Sequence, residues 1–412
     1  MHFLNVIFWL INNILYMKII SAIMFDVKYT FCTCFTAVID KNIQFAVRDF
    51  VVLRRLIKYT FIMDSGRLID KKEVNNMIDI SVREQLEQYL LDKGIISKDE
   101  EYSFNYCKGG VSGTVVFVYA GKKELIVKQA LAQLKTKDTW LCDPNRMNIE
   151  KEGNRIYNEI VPENAPKVYF YDHDNYIFGR EAAPESCTMW KADLLSGLYD
   201  FQIADKAIDS LAKVHNGCAY SKEVEEIFGD KAIFYDLRIS PYIEFTVGKH
   251  PELREFADSV NEFLMGPGIT LVHGDYSPKN IMVDGRKIYI LDYEVGHYGH
   301  PAFDLAFFSN HFLLKTVKNK QWADTTTNML KIMLDKYFSE VKFMDPAELE
   351  KCFVKTLALL FIARVDGKSP AEYITDDDDK DIIRKTSFRM INEGICDYNS
   401  VIKLIKEMIG GK

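Results

Sequence analysis

The segment 271–308, LVHGDYSPKNIMVDGRKIYILDYEVGHYGHPAFDLAFF, constrains this chain more than any other. Short apolar runs lead up to Asp275 and to Asp292, and the turn-forming DGRK lies between IMVD and IYILD. The pattern predicts a strand ending at Asp275, then two strands joined by a tight hairpin. That hairpin brings Asn280 and Asp292 to the same end of the strand pair. An Asn amide oxygen and an Asp carboxylate are hard ligands suited to Mg²⁺, which takes few protein ligands together with phosphate oxygens. Asp275, a short reach away, is placed to accept the proton of an attacking hydroxyl. Turn-forming Asp and Asn around a plain hairpin would give the same letters, so the surrounding chain has to discriminate.

Upstream, YSFNYCKGGVSGTVVFVYAGKKELIVKQA reads as strands with a hairpin at GKK. Gly109, Gly110, Ser112, Gly113 and Thr114 lie between strand-like runs, and glycine there lets backbone N–H groups approach a phosphate. Lys128, flanked by Ile126 and Val127, puts a charge on a buried strand, where a phosphate and a carboxylate would satisfy it. Either Glu150 or Glu152 could supply the carboxylate from the next helix, whose face is marked by Ile149, Gly153, Ile156 and Ile160. KVYFYDHDNYIFGREAAP reads as two strands around the turn DHDN. The order glycine loop, Lys, Glu helix, then Asp, Asn, Asp is that of a phosphoryl-transfer site. This joint order favours chemistry over turn decoration.

Helical spacing is expected over residues 76–93, in YDFQIADKAIDSLAKVHNG up to Gly217, and over 320–342, 347–365 and 380–408. The run Asp376–Asp379 reads as a solvated turn. The expected fold class is therefore α+β, a small β-rich half followed by a larger helical half, joined near residue 182. A chain of 412 residues, 48% of them hydrophobic, can bury two lobes. The net charge of −7 carries no basic excess for nucleic acid. The eight cysteines are scattered without zinc spacing, as expected of reduced thiols in the cytoplasm. Residues 1–62 are expected to lie outside the functional unit, as an extension of the gene model. The alternative is a membrane anchor through residues 1–24, an apolar run broken by Asn12, Asn13 and Lys18.

HGDYSPKN with ILDYE resembles the motif pair of the aminoglycoside phosphotransferase and choline kinase group, within the protein-kinase-like superfamily. The similarity runs through most of residues 100–390. SLAKVHN resembles that family's helix before the catalytic loop. GHPAFDLAFF resembles the segment whose aspartate, here Asp304, braces the loop together with His273. VKQAL, RMNIEKEGNRIY and APKVYFYDHDNYIFGRE resemble the N-lobe of methylthioribose kinases.

The resemblance implies a bilobal protein-kinase-like fold, with residues 63–181 as N-lobe and 182–412 as helical C-lobe. It implies ATP and Mg²⁺ as cofactors, Asp275 as catalytic base, Asn280 and Asp292 as metal ligands joined by Glu294, and Lys128 on the α/β-phosphates. Glu181 and Ala183 would belong to the hinge beside adenine. The implied activity is γ-phosphoryl transfer to a hydroxyl of a small-molecule acceptor: methylthioribose-, choline/ethanolamine- or aminoglycoside-like. The alternatives are a catalytically inactive nucleotide-binding protein of the same fold, or a membrane-anchored kinase. Two departures stand out. DYE replaces the Asp-Phe-Gly of protein kinases, and Asn280 stands where methylthioribose kinases typically have serine. Arg364, Asp366 and Lys368, after the apolar helix TLALLFIARV, are expected to line the acceptor pocket; a helix end in a solvated turn is the competing reading.

Overall fold

The computed structural model describes residues 78–107, 113–130 and 144–410. The segment 1–62, and Gly109, Gly110 and Ser112 of the glycine-rich run, lie outside the described residues. Five antiparallel strands form one sheet: β1 (Tyr102–Tyr106), β2 (Gly113–Ala120), β3 (Lys123–Ala130), β4 (Val168–Asp172) and β5 (Ile177–Glu181), in the order β1-β2-β3-β5-β4. Gly121, at φ +58°, turns the chain between β2 and β3. Side chains alternate across β3, so Leu125 and Val127 join Val116, Val118 and Ile177 under helix α1 (Arg83–Asp92). Lys128 therefore points to the opposite face, towards α2 (Arg146–Ile160). Helix α1 starts later than its apolar spacing suggests. Asp79 ties Ser81 N–H to its own side chain and accepts Val82 N–H through its carbonyl, and this turn competes with the helix.

Beyond β5 come β6 (Thr188–Met189), α3 (Trp190–Leu195), α4 (Phe201–Cys218) and α5 (Lys222–Phe228). The Asp200 side chain caps α4 by accepting Gln202 N–H. A helical run over 232–249 has a π-helix at its centre, Tyr235–Glu244, with Pro241 inside it. Then follow α6 (Arg254–Met265), β7 (Thr270–Val272), β8 (Ile281–Asp284), β9 (Lys287–Ile290) and β10 (His297–Gly299). The chain ends with α7 (Ala302–Lys318), α8 (Ala323–Glu340), α9 (Pro346–Asp366), α10 (Asp377–Asn392) and α11 (Tyr398–Gly410). Helix α7 is buried on all sides from Ala302 to Val317, which makes it the axis of the helical part. A large apolar cluster packs α4, α8 and α9 around it and reaches back to Ile149, Ile156 and Tyr157 of α2. Among the described residues no helix is long and apolar enough to cross a membrane.

Two expectations need correction. The span 380–408 is two helices, because Gly394 at φ +65° ends α10. The acidic run is not a free turn. Asp376 caps α10 by accepting Asp379 N–H, and Asp379 is buried against Lys320. Carboxylates are favourable there because the first turn of a helix presents unpaired N–H groups.

Candidate active site

Strand β7 stops at Val272, so Asp275 does not end it but stands on the loop 273–280 beyond. The reason is local. Gly274 takes φ +76°, and a Cβ there would lie 2.5 Å from the Val295 carbonyl oxygen, so the chain must leave the strand. Asp304, at the start of α7 and fully buried, accepts His273 N–H at 2.7 Å and Gly274 N–H at 2.9 Å. His215 on α4 adds a contact to the same carboxylate at 3.3 Å. Against the effect of burial, these partners hold the Asp304 carboxyl below its ordinary value. His273 packs among Tyr157, Tyr276 and Tyr293, and burial pushes its imidazole down. The neutral ring accepts Asp275 N–H through Nδ1 at 3.2 Å.

Asp275 is thus fixed from behind, and its carboxylate is asymmetric. Oδ2 pairs with Arg238 at 3.1 Å and with Lys279 at 2.8 Å. Oδ1 is buried and has no hydrogen-bond partner among the described residues. Arg238 is anchored in turn by donating to the Gly274 carbonyl at 2.6 Å. Asn280 donates from Nδ2 to the Asp275 carbonyl at 3.0 Å, and its own carbonyl accepts Leu291 N–H at 2.9 Å. Ile281 pairs with Ile290 in the β8–β9 hairpin, so Asn280 and Asp292 flank the same end of it.

Lys128 meets Glu150 at 2.6 and 2.8 Å and Asp292 at 3.1 Å. Glu150 is therefore its helix partner, whereas Glu152 pairs with Lys151 and Arg155. Gly153 permits this, because a Cβ there would come within 2.7 Å of Tyr293 Cβ and hold α2 away. Asp292 itself stands at φ +73°, a left-handed backbone that Asp tolerates better than most residues. Glu294 pairs with the fully buried Arg146 at 3.2 Å. Oxygens of Glu150, Asp292 and Glu294 all lie within 4.8 Å of one another. Burial would raise Asp292, but Lys128 and Lys279 outweigh it and hold the carboxyl well below its usual range. Burial and the neighbouring Asp292 push Glu294 up, to about 7. This set of hard carboxylate oxygens fits a divalent ion such as Mg²⁺.

Gly113 and Thr114 open β2, and a Cβ on Gly113 would lie 2.5 Å from the Gln129 carbonyl. Glu181 closes β5 opposite Leu125, and Ala183 is buried just beyond it. Arg364 is buried and donates to the Tyr242 hydroxyl at 3.0 Å and to the Ser369 carbonyl at 2.5 Å. Asp366 is engaged elsewhere, by Arg384 at 2.8 Å and His250 at 2.9 Å. The backbone N–H of the exposed Lys368 donates to the Pro241 carbonyl. Sequence reasoning missed Arg238, Lys279 and Arg146. Lys279 was legible in principle, lying four residues after Asp275. Arg238 is 36 residues from the carbonyl it grips and carries no local signal.

Residues 236–320 match the profile of the family described as Phosphotransferase enzyme family. The chain is 24% identical over 229 residues to a methylthioribose kinase of Bacillus velezensis, covering 49% of this chain and 58% of that protein. It is 22% identical over 243 residues to methylthioribose kinase 2 of Oryza sativa subsp. japonica, covering 52% and 57%. The chain thus spans less than two thirds of the length of these relatives. A choline kinase from Cryptosporidium parvum superposes with a TM-score of 0.49 at 14% identity, covering 78% of this chain and all of that one. Residues 236–320, which carry Arg238, Asp275, Asn280, Asp292 and Asp304, are thus the part of the chain that matches the phosphotransferase enzyme family, as the resemblance in its motifs implied.

Proposed function

We propose that this chain is an ATP-dependent small-molecule kinase, transferring the γ-phosphoryl group of ATP to a hydroxyl of a metabolite. The observation that carries the proposal is the asymmetry of Asp275: one oxygen held by two cations, the other buried and unpartnered. Oδ1 is the atom placed to accept the acceptor's hydroxyl proton. The new bond joins the acceptor oxygen to the γ-phosphorus, the bond to the β-bridging oxygen breaks, and ADP leaves. Lys128, aimed by Glu150, meets the phosphates, and Gly113 and Thr114 lie at the end of the glycine-rich run that would cover them. Asn280, Asp292 and Glu294 are the residues that would hold Mg²⁺, which when bound neutralises phosphate charge. Positioning and charge neutralisation supply most of the acceleration, with Asp275 orienting the nucleophile. The described cysteines are all unpaired, which favours the reducing cytoplasm.

Asp275→Asn tests the assignment. Phosphotransfer measured by ADP release is expected to fall about 10²- to 10⁴-fold, while the rise in Tm on adding ATP and Mg²⁺ persists. Turnover at the wild-type rate would remove Asp275 from the mechanism.

A further inference from the structure

Next to Asp275 three basic side chains are buried, Arg238, Arg364 and Lys315, with the partly exposed Lys279 and Lys191 beside them. Tyr242, on the π-helix, has two guanidinium groups against its ring: Arg238 at 5.9 Å and Arg364 at 5.6 Å. Lys315 on α7 is fully buried, its Nζ donates to the His311 carbonyl at 3.1 Å, and it sits 5.6 Å from the Tyr373 ring. Lys191 approaches the same ring at 5.5 Å. Two carboxylates answer these cations. Asp275 takes Arg238 and Lys279, and Glu372 takes Lys191. Among the described residues, neither Lys315 nor Arg364 forms an ion pair with a carboxylate. Several polar atoms of the cluster are also buried without a hydrogen-bond partner among the described residues: Arg364 Nε, both ring nitrogens of His311, Tyr373 Oη and Asp275 Oδ1.

The electrostatics agree that these groups share one field. Burial, then Lys315, Arg364, Lys279 and Lys191, push His311 well down. Burial, then Lys191 and Arg364, bring Lys315 down to about 7, with Glu372 opposing. The phenol of Tyr242 is lowered although burial raises it, because Arg364, Arg238 and Lys279 prevail over burial and Asp275. Buried cations without a counter-charge are costly, and a bound anion offsets that cost.

We infer that the acceptor is an anionic hydroxy compound, whose carboxylate or phosphate meets Lys315 and Arg364 while its hydroxyl meets Asp275 Oδ1. This rests on the kinase reading above and narrows it. A quaternary amine or an aminosugar calls for carboxylates or an aromatic cage and would be repelled here. An oxyanion is matched by the fork of Arg364 and the point charge of Lys315.

The test uses the full chain and acceptor pairs matched except for charge: glycerol against glycerate, and ribose against ribose 5-phosphate, with choline as the cationic control. Binding is read by calorimetry in the presence of a non-hydrolysable ATP analogue and Mg²⁺. At least one anionic member is expected to bind about ten- to a hundred-fold more tightly than its neutral partner. The glycerate and ribose 5-phosphate arms separate carboxylate from phosphate. Lys315→Met and Arg364→Gln are each expected to erase the preference, with the affinity for the ATP analogue changed less than about twofold. No preference for either anion in the wild-type protein, no binding of any member included, overturns the inference whether or not the variants fold. So does tighter binding of choline. If the analogue and Mg²⁺ bind while the preference is absent, the kinase reading survives and only the anionic acceptor is lost. If the analogue fails to bind, the kinase reading falls first.

Discussion

Replacing Lys128 by Met isolates the charge at the centre of the site, because the side chain keeps its reach and loses its ammonium. In the folded protein that ammonium sits 2.6 Å from Glu150 and 3.1 Å from Asp292, with Glu294 close behind. Removing one partner of a buried ion pair costs about 3–5 kcal/mol, mostly from the charge left without compensation. Here two carboxylates lose their cation at once, so the upper part of that range applies. Such a loss is a large share of a total stability of about 5–15 kcal/mol. Urea denaturation without divalent ions is the assay, with the midpoint shift multiplied by the common slope. The double variant Lys128→Met/Glu150→Gln is the control. If stranded carboxylates are the cause, neutralising one of them recovers about 1–3 kcal/mol relative to Lys128→Met alone. A single-variant loss under about 1 kcal/mol, or a double variant as unstable as the sum of its parts, would show that Lys128 is not the counter-charge of this cluster.

Three further outcomes follow from the same geometry. Glu294 is raised to about 7, so the folded chain takes up a proton that the unfolded chain does not bind. In chelator, the stability of the wild type measured against that of Glu294→Gln should therefore gain as pH falls from about 8 to 6, both proteins sharing the opposite slope of the buried His273, His311 and Lys315; a difference that does not change with pH would remove the shift from Glu294. Asp292→Ala should abolish the Mg²⁺-dependent part of the Tm shift produced by ATP, and a full shift would count against metal ligation. The His273 and Gly274 N–H groups pair with separate oxygens of Asp304, so Asp304→Asn keeps an acceptor for one and turns an amide N–H₂ towards the other. It should cost about 1–3 kcal/mol for the donor left unpaired and lower turnover as well; an unchanged kcat would separate Asp304 from the placement of Asp275.

What could be read from the sequence was whatever lies close together along the chain. The hairpin at DGRK, the Gly121 turn and the alternation that aims Lys128 away from α1 are short-range consequences of residue type, and they stand where the pattern puts them. The choice between Glu150 and Glu152 was not legible, since they flank the apolar face of the helix on opposite sides and only its rotation decides which one meets Lys128. Packing of Gly153 against Tyr293 sets the rotation of α2. The strand ending at Asp275 was misread because Gly274, two residues after the apolar run LV, takes a positive φ and lies close against Val295, a later part of the chain, and neither shows locally. The acidic run was misread because its helix begins immediately after a residue that looks like part of the run. Arg238, Lys315 and Tyr242 were invisible for a deeper reason. Their relation to Asp275 is made by helices that meet only in three dimensions, and their spacing along the chain encodes nothing.

The π-helix at Tyr235–Glu244 carries both Arg238 and Tyr242 to the site. Its hydrogen bonds run to the fifth residue rather than the fourth, so the segment stores surplus chain in widened turns. Loss of a single residue such as Ser240 would allow it to tighten into an ordinary α-helix, and the tighter turn would largely make up for the missing residue between Arg238 and Tyr242. The segment is thus a reserve of slack: it can give up a residue at less cost to the site than it can give up Arg238 or Tyr242, whose side chains make the contacts to the Gly274 carbonyl and to Arg364.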